Sequence, residues 1–385
     1  MSEPGVASSG APVVPADVDG RANARRTATL VVAIALAVAL ALLAVLLPVP
    51  YVELSPGASC DTLATKPSRE CADAGIRGPI VRIDKKIKQY PSSDHLFFTT
   101  VGLSGGPDQS RLTLLEAIRG WFDSTTAVVP KDLLFPAGAS AAQVNCENTK
   151  DQLQSQYNAQ VAALRKLKYP ATVDRHVYVD GFSAHSPART AGIGICDDIV
   201  SINGKRVSSE EQLTQLIGQH HVGDTVRVGY VHNNQRKTAN VRLAGTAARP
   251  LIGIAPRHID ISKPPFPINI DAGDVGGPSA GLMYALAIID LLTPGDLTGG
   301  VVVAGTGEID GKGNVGPIGG IQQKMISARN HGATVFLVPS RNCSEAVHAK
   351  PKGLRLATVG TLTDALNALA ALRHEPGGVI HDCAG

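Results

Sequence analysis

The chain has 385 residues, of which 44% are hydrophobic, 18% are charged and only 4% are aromatic. This length allows more than one packed domain, and apolar content drawn mainly from small aliphatic side chains favours layered α/β structure over an aromatic-rich β-sandwich. The 36 basic and 33 acidic side chains leave a net charge of only +3. The densest basic run, Lys85 to Lys88, has no interleaved aromatic residue, so we expect no nucleic-acid partner.

The first predicted element is a membrane anchor. Residues 30–47 are drawn only from Leu, Val, Ala and Ile, which is enough to cross a bilayer. Arginines precede this run and Glu53 follows it, so the N-terminus is expected in the cytoplasm and the rest outside the cell membrane. A cleaved secretory signal and a buried core helix are the alternatives. We predict a single-pass, lipid-embedded anchor over 27–50, after a disordered cytoplasmic tail over 1–26.

All six cysteines follow the predicted anchor, and an even count in an exported segment indicates disulfides. Their spacings are not those of a zinc site, so we expect no metal, and nothing in the sequence indicates a cofactor. One pair would close a short loop, a second would pin the C-terminal tail, and the third follows by elimination, with other pairings left open. The favoured pairs are Cys60 with Cys71, Cys343 with Cys383, and Cys146 with Cys196.

Residues 51–172 are predicted to form an exported N-terminal α/β region. Its first part mixes short apolar stretches with Gly-Pro pairs, which indicates strands and turns. Two helices should follow. Leu115, Ile118 and Phe122 recur at helical spacing in the first, and apolar residues from Leu153 onward do so in the second, before Pro170 ends it.

Residues 173–245 are predicted to form a small β-rich module. It contains an Asn203-Gly204 hairpin turn and one helix, for which Ser208 and Glu211 are predicted to form the capping box. Segments of this module resemble the PDZ modules of bacterial proteases, namely 186–188, 191–193, 197–205 and 223–226. The resemblance implies that the module binds extended peptide by strand addition. A structural module that binds nothing is the alternative.

Ser279 is the first candidate catalytic residue. It follows Gly277-Pro278 and precedes a helix with Leu282, Leu286 and Ile289 on one face. A serine at a helix N-terminus lies beside unpaired amides and the positive end of the helix dipole, which suits an oxyanion site. An ordinary helix cap is the alternative.

Lys324 is the second candidate. Ile321, Met325 and Ala328 predict a buried helical stripe, and Lys324 lies on the same face. Such a lysine either extends its ammonium to the surface or, if it cannot, has its pKa lowered by desolvation until it can act as a base near neutral pH. A serine and lysine in contact would form a nucleophile and base without histidine.

Three segments in the last third of the chain resemble the proteolytic domain of the Lon peptidases: 277–281, 306–309 and 316–324. The resemblance implies an α/β Lon-type domain over 250–373, followed by a C-terminal tail over 374–385. By it, Ser279 is the nucleophile, Lys324 the base, and Thr306 a supporting hydroxyl that helps to hold the lysine amine. Lon-like domains commonly form rings, so the resemblance implies a homo-oligomer, with a hexamer as the family-level expectation. With the anchor and the PDZ-like module, the chain resembles the membrane-tethered Lon-like proteases of Gram-positive bacteria.

Two departures from the Lon pattern bear on function. Gly276 stands where Lon enzymes commonly carry an aspartate, so no acidic helper can be assigned. The sequence also contains no phosphate-binding loop of the Gly-x-x-x-x-Gly-Lys-Ser/Thr type. We therefore predict an ATP-independent serine endopeptidase that cleaves unfolded or flexible exported polypeptides through an acyl-enzyme. The alternatives are an inactive membrane-tethered peptide-binding scaffold and a processing enzyme that cuts one dedicated partner once.

Overall fold

The computed structural model describes residues 18–107, 111–136, 138, 140–232, 235–246, 248–375 and 380–383. Helices and strands are mixed throughout, which confirms the predicted fold class. The helices are α1 (Val18–Leu46), α2 (Arg69–Asp73), α3 (Leu114–Phe122), α4 (Ala141–Lys166), α5 (Pro187–Thr190), α6 (Glu210–Gly218), α7 (Gly281–Leu292), α8 (Ile321–Asn330), α9 (Cys343–His348) and α10 (Leu362–His374).

The strands fall into three groups along the chain. Those before residue 131 are β1 (Tyr51–Asp61), β2 (Val81–Ile83), β3 (His95–Ser104) and β4 (Ala127–Pro130). Those of the β-rich module are β5 (Thr172–Phe182), β6 (Asp198–Ile202), β7 (Lys205–Arg206), β8 (Thr225–His232), β9 (Gln235–Arg242), β10 (Ala244–Thr246), β11 (Arg249–Leu251) and β12 (Ile254–Lys263). The last group is β13 (Ile268–Ile270), β14 (Val302–Gly305), β15 (Glu308–Ile309), β16 (Val315–Gly316), β17 (Val335–Pro339) and β18 (Arg355–Val359).

One six-stranded sheet joins strands from before and after the β-rich module, in the order β18-β17-β14-β3-β1-β4. β14 pairs in parallel with β3, so that Val303 faces Leu96, and β13 pairs with β2. The segments 51–172 and 250–373, which the sequence predicts as separate units, therefore share one sheet and one core. The β-rich module is inserted between them.

Helix α7 fills the centre of this shared core. Every residue from Gly281 to Asp290 is buried, and the Tyr284 ring packs edge-on against Phe98 of β3, with 5.5 Å between ring centroids. A helix that is apolar on all sides has no face for water, so it needs cover from both segments of the chain. This burial fixes the residues that immediately precede α7.

The β-rich module has the sheet order β12-β5-β6-β8-β9, with β7 paired to β6. Its sheet extends to Lys263, beyond the predicted boundary at residue 245. The predicted capping box is wrong. Ser209 is the N-cap of α6 and accepts from the Gln212 amide, while the Ser208 hydroxyl donates to the Gln212 side chain, because the helix starts one residue later than the pattern indicated.

Three disulfides staple the fold, and they are the pairs that the sequence favoured. Each joins segments that belong to different elements: α2 to β1, α4 to the β-rich module, and the C-terminal segment to α9. The bonds are Cys60–Cys71, Cys146–Cys196 and Cys343–Cys383.

Among the described residues, α1 is the one helix long and apolar enough to cross a membrane, over Arg25–Leu46. It begins at Val18, inside the segment predicted as a disordered tail, and residues 1–17 of that tail lie outside the described residues. In the predicted C-terminal tail, residues 376–379 and 384–385 also lie outside them.

Candidate active site

Ser279 lies two residues before α7, in a turn held by helix α4. The Gly277 amide donates to the Asn148 carbonyl (3.1 Å), and the Ser155 hydroxyl donates to the Pro278 carbonyl (2.7 Å). Gly277 has φ +82°, a backbone conformation that favours glycine. These contacts fix the main chain on the N-terminal side of Ser279.

The carbonyl of Ser279 is fixed from the opposite side by residues 306 and 307. It accepts hydrogen bonds from the Gly307 amide (2.7 Å) and from the Thr306 hydroxyl (3.0 Å). Thr306 is fully buried. The expectation that Thr306 holds the lysine amine is therefore not what the structure shows, because its hydroxyl proton is directed to the main chain of Ser279.

The Lys324 amine lies 2.9 Å from the Ser279 hydroxyl oxygen and donates to the Thr99 carbonyl at 2.7 Å. Lys324 is only 3% exposed. Burial disfavours the charged amine and lowers its pKa from 10.5 to about 7. At neutral pH a large fraction of this amine is therefore uncharged and can accept a proton from the adjacent hydroxyl.

Lys324 cannot reach the surface because its helix is packed against strands β1 and β3. Ile321, Met325 and Ala328 are completely buried, as their spacing predicted. On the strand side, the Ser327 hydroxyl donates to the Gly57 carbonyl (2.6 Å) and lies 2.8 Å from the Ser59 hydroxyl. Strands β1 and β3 thus supply the side chains and backbone that desolvate the lysine, and Thr99 of β3 supplies its second hydrogen-bond partner.

The serine and lysine open into a cleft of about 440 Å³, a volume typical of small-molecule and peptide side-chain pockets. Thr100, Val101, Val275 and Ile318 form part of its lining. Within the part of the chain that the structure describes, the amides of Ser279 and Ala280 donate to no protein carbonyl. They are available at the N-terminus of α7 to stabilise an oxyanion.

Two carboxylates also line the cleft, Asp274 and Glu308. The Asp274 carboxylate forms no hydrogen bond with Ser279 or Lys324 among the described contacts, and burial raises the pKa of Glu308. No group of three metal-ligating side chains occurs in the described ranges. Among the described residues, the geometry therefore combines a serine hydroxyl, a buried amine and amide donors, with neither carboxylate bonded to the hydroxyl or the amine.

Comparison with known proteins identifies both modules. Residues 152–243 match the family model of the PDZ domain, and residues 263–370 match that of the Lon protease (S16) C-terminal proteolytic domain. The Lon protease of Salinispora arenicola is 26% identical over 321 residues, which cover 73% of this chain and 40% of the relative.

Two further relatives match shorter parts of the chain. The Lon protease of Mycolicibacterium smegmatis is 28% identical over 46% of this chain and 21% of its own length. That of Phenylobacterium zucineum is 33% identical over 31% of this chain and 15% of its own length. This chain thus spans less than half of each of these three relatives. The chain thus combines a PDZ domain with a Lon-type (S16) proteolytic domain.

Proposed function

We propose that the chain is a membrane-anchored, ATP-independent serine endopeptidase with Ser279 as nucleophile and Lys324 as general base. The observation that carries the proposal is the 2.9 Å contact between the serine hydroxyl and a buried amine whose pKa is lowered to about 7. The Lon protease relatives support the same chemistry. The anchor, α1, and the absence of a phosphate-binding loop from the 385 residues support the finer description.

In the first half-reaction, uncharged Lys324 takes the proton of the Ser279 hydroxyl while the serine oxygen attacks the peptide carbonyl. The oxyanion forms next to the amides of Ser279 and Ala280. The lysine ammonium, held by the Thr99 carbonyl, then gives its proton to the leaving amine, and an ester of Ser279 remains. In the second half-reaction the amine deprotonates a water, which hydrolyses the ester and restores the serine.

The PDZ domain supports a substrate in extended conformation. A second cleft, of about 740 Å³, lies between α6 and residues 249–256, with Leu213, Ile217, Ile252 and Ile254 in its lining. An apolar cleft beside a helix and a strand can take alternate side chains of an extended peptide. We therefore propose unfolded or flexible exported polypeptides as substrates.

The resemblance also supports two further parts of the proposal. One is a ring-shaped homo-oligomer of six subunits, and light scattering of the detergent-solubilised chain measures the subunit number. The other is an N-terminus in the cytoplasm and a catalytic domain outside it, for which Arg25 and Arg26 at the start of the apolar helix are the support. Protease accessibility of the exported part in intact cells tests this orientation.

The catalytic assignment is tested with the full-length chain, a labelled unfolded protein as substrate, and buffer without ATP. Ser279→Ala and Lys324→Ala should each reduce turnover by a factor of at least about 10³. Ser344→Ala and Lys352→Ala, at exposed positions, are the matched controls and should retain wild-type rates. Full activity in both catalytic variants would refute the assignment.

The same experiment separates the competing functions. An inactive scaffold predicts peptide binding with no turnover by the wild-type chain. A processing enzyme predicts one product boundary in one partner, whereas a general endopeptidase predicts many boundaries in an unfolded substrate. Mass spectrometry of the products distinguishes these two patterns.

A further inference from the structure

The large apolar residues that the structure exposes beyond the anchor are not scattered evenly. Six of the ten lie on α3 or at the end of the short 3₁₀ turn Lys131–Leu133 that follows β4, and we call these six the juxtamembrane apolar face. The most exposed are Phe122 (88%) and Leu133 (72%). The six residues are Leu115, Ile118, Trp121, Phe122, Leu133 and Leu134.

Helix α3 packs against the rest of the fold through a side other than the juxtamembrane apolar face. Ala117 and Gly120 are its buried residues. A side chain at Gly120 would meet Val128 of β4 at 2.6 Å, so the helix backbone lies directly on the sheet. The apolar side of this amphipathic helix consequently points away from the protein core.

Backbone hydrogen bonds join the start of α3 to the end of α1. The Leu114 amide donates to the Leu47 carbonyl (2.9 Å), and the Val49 amide donates to the Leu112 carbonyl (2.8 Å). The second part of the face is tied to the same exit, because the Lys131 amide donates to the Pro50 carbonyl (3.0 Å).

The length of α1 sets the depth of this junction. The candidate span Arg25–Leu46 has 22 residues, and at about 1.5 Å per residue it is about 33 Å long, close to the hydrocarbon thickness of about 30 Å. Leu47 therefore lies at the outer boundary of the hydrocarbon when α1 spans the bilayer. The ring of Trp121 packs edge-on against Tyr51 with 5.6 Å between centroids, and both are residue types enriched at that boundary.

We propose that the juxtamembrane apolar face is embedded in the headgroup and upper acyl region of the bilayer that α1 crosses, which holds the proteolytic domain in a fixed orientation on the membrane. This inference rests on the proposed membrane anchoring. Lipid is the occupant because the face begins where α1 leaves the bilayer. Another protein or a second copy would have to displace the lipid that surrounds the end of α1.

The test uses Trp121, which is the single tryptophan in the chain. The full-length chain is reconstituted into vesicles of zwitterionic lipid, and its emission is measured with acyl-brominated lipid and with aqueous iodide. Embedding predicts a blue-shifted maximum, loss of most of the emission with lipid brominated near the headgroup, and protection from iodide. Free access of iodide together with no effect of brominated lipid would overturn the proposal.

Variants distinguish lipid from protein contact. Ile118→Ser/Phe122→Ser should weaken quenching by brominated lipid and increase quenching by iodide, while Val222→Ser, an exposed apolar residue of the PDZ domain, should change neither. Emission that is protected from iodide but insensitive to brominated lipid would mean that protein covers the face, which overturns the proposal.

Two further measurements separate this inference from the proposed function. Release of the chain from vesicles by alkaline wash would refute the anchoring and this inference with it. Peptidase activity in detergent, measured on the same preparations, should be equal in wild type and Ile118→Ser/Phe122→Ser. A loss of activity in Ser279→Ala and Lys324→Ala, but not in Ile118→Ser/Phe122→Ser, would leave the catalytic assignment intact even if Trp121 proves to be exposed to water.

Discussion

Replacing Lys324 by Met tests the central electrostatic feature of the site. The substitution removes the buried amine and keeps an unbranched side chain of similar length. It also leaves the Thr99 carbonyl without its lysine partner, which costs about 1–3 kcal/mol of stability independently of pH. The informative quantity is therefore the pH dependence of the difference in unfolding free energy between wild type and variant.

The sign of this pH dependence follows from the number of protons that the folded and unfolded chains bind. The lysine pKa is about 7 in the folded chain and 10.5 as the reference for the unfolded chain, so the unfolded chain binds more protons between these values. Wild-type stability should consequently rise as pH increases through this interval. Over the whole interval the gain is about 5 kcal/mol, and between pH 7 and pH 9 it is about 2 kcal/mol.

Chemical denaturation of wild type and Lys324→Met in detergent at several pH values measures this gain. The unfolding free energy of the wild type, relative to that of Lys324→Met, should increase by about 2 kcal/mol between pH 7 and pH 9. Lys352→Met, at an exposed position, should show the same pH dependence of stability as the wild type. The same amine predicts that wild-type kcat/KM falls tenfold per pH unit below about 6. A stability difference that is constant across this range would refute the claim that Lys324 is desolvated.

Three further changes probe the scaffold of the site. Thr306→Val should lower unfolding free energy by about 1 kcal/mol and reduce kcat more than it raises KM, with recovery in Thr306→Ser; equal kcat in Thr306→Val would contradict its positioning role. Cys146→Ala/Cys196→Ala opens a loop with a sequence separation of 50 and should destabilise the chain by roughly 4 kcal/mol, as measured by denaturant titration. Gly281→Ala places a methyl group 2.7 Å from the Ser155 hydroxyl and should cost about 1–3 kcal/mol, an effect that Ser155→Ala should reduce; a neutral Gly281→Ala variant would show that this contact is loose.

The two residues of the proposed dyad could be predicted because each carries its own local pattern. Ser279 follows a Gly-Pro turn at a helix start, and Lys324 lies within an apolar stripe of helical spacing. Each pattern constrains the immediate environment of one side chain. The contact between them depends on tertiary packing, and it was the resemblance to Lon peptidases that indicated it.

The support around the dyad could not be predicted in the same way. The carbonyl of Thr99 is a backbone group, and every residue has one, so no residue type marks it in the sequence. It reaches Lys324 because β3 pairs with β14, which lies about two hundred residues later in the chain. Parallel pairing over such a distance leaves no periodic signal in either strand, and for the same reason the sequence predicts 51–172 and 250–373 as separate units. The direction of the Thr306 hydroxyl was missed because it depends on which carbonyl lies nearest after folding.

Helix α3 shows a second limit of predicting structure from the spacing of apolar residues. Leu115, Ile118 and Phe122 predicted the helix, which the structure contains. A stripe of apolar residues indicates only that one side of a helix avoids water. Whether protein or lipid covers that side depends on where the helix lies in the folded chain. Here the hydrogen bond from Leu114 to Leu47 fixes α3 beside the end of the candidate membrane span α1, and its apolar side is exposed. The same spacing that indicates a core-facing helix in a soluble domain therefore indicates an interfacial helix when its first residue is bonded to the end of a membrane span.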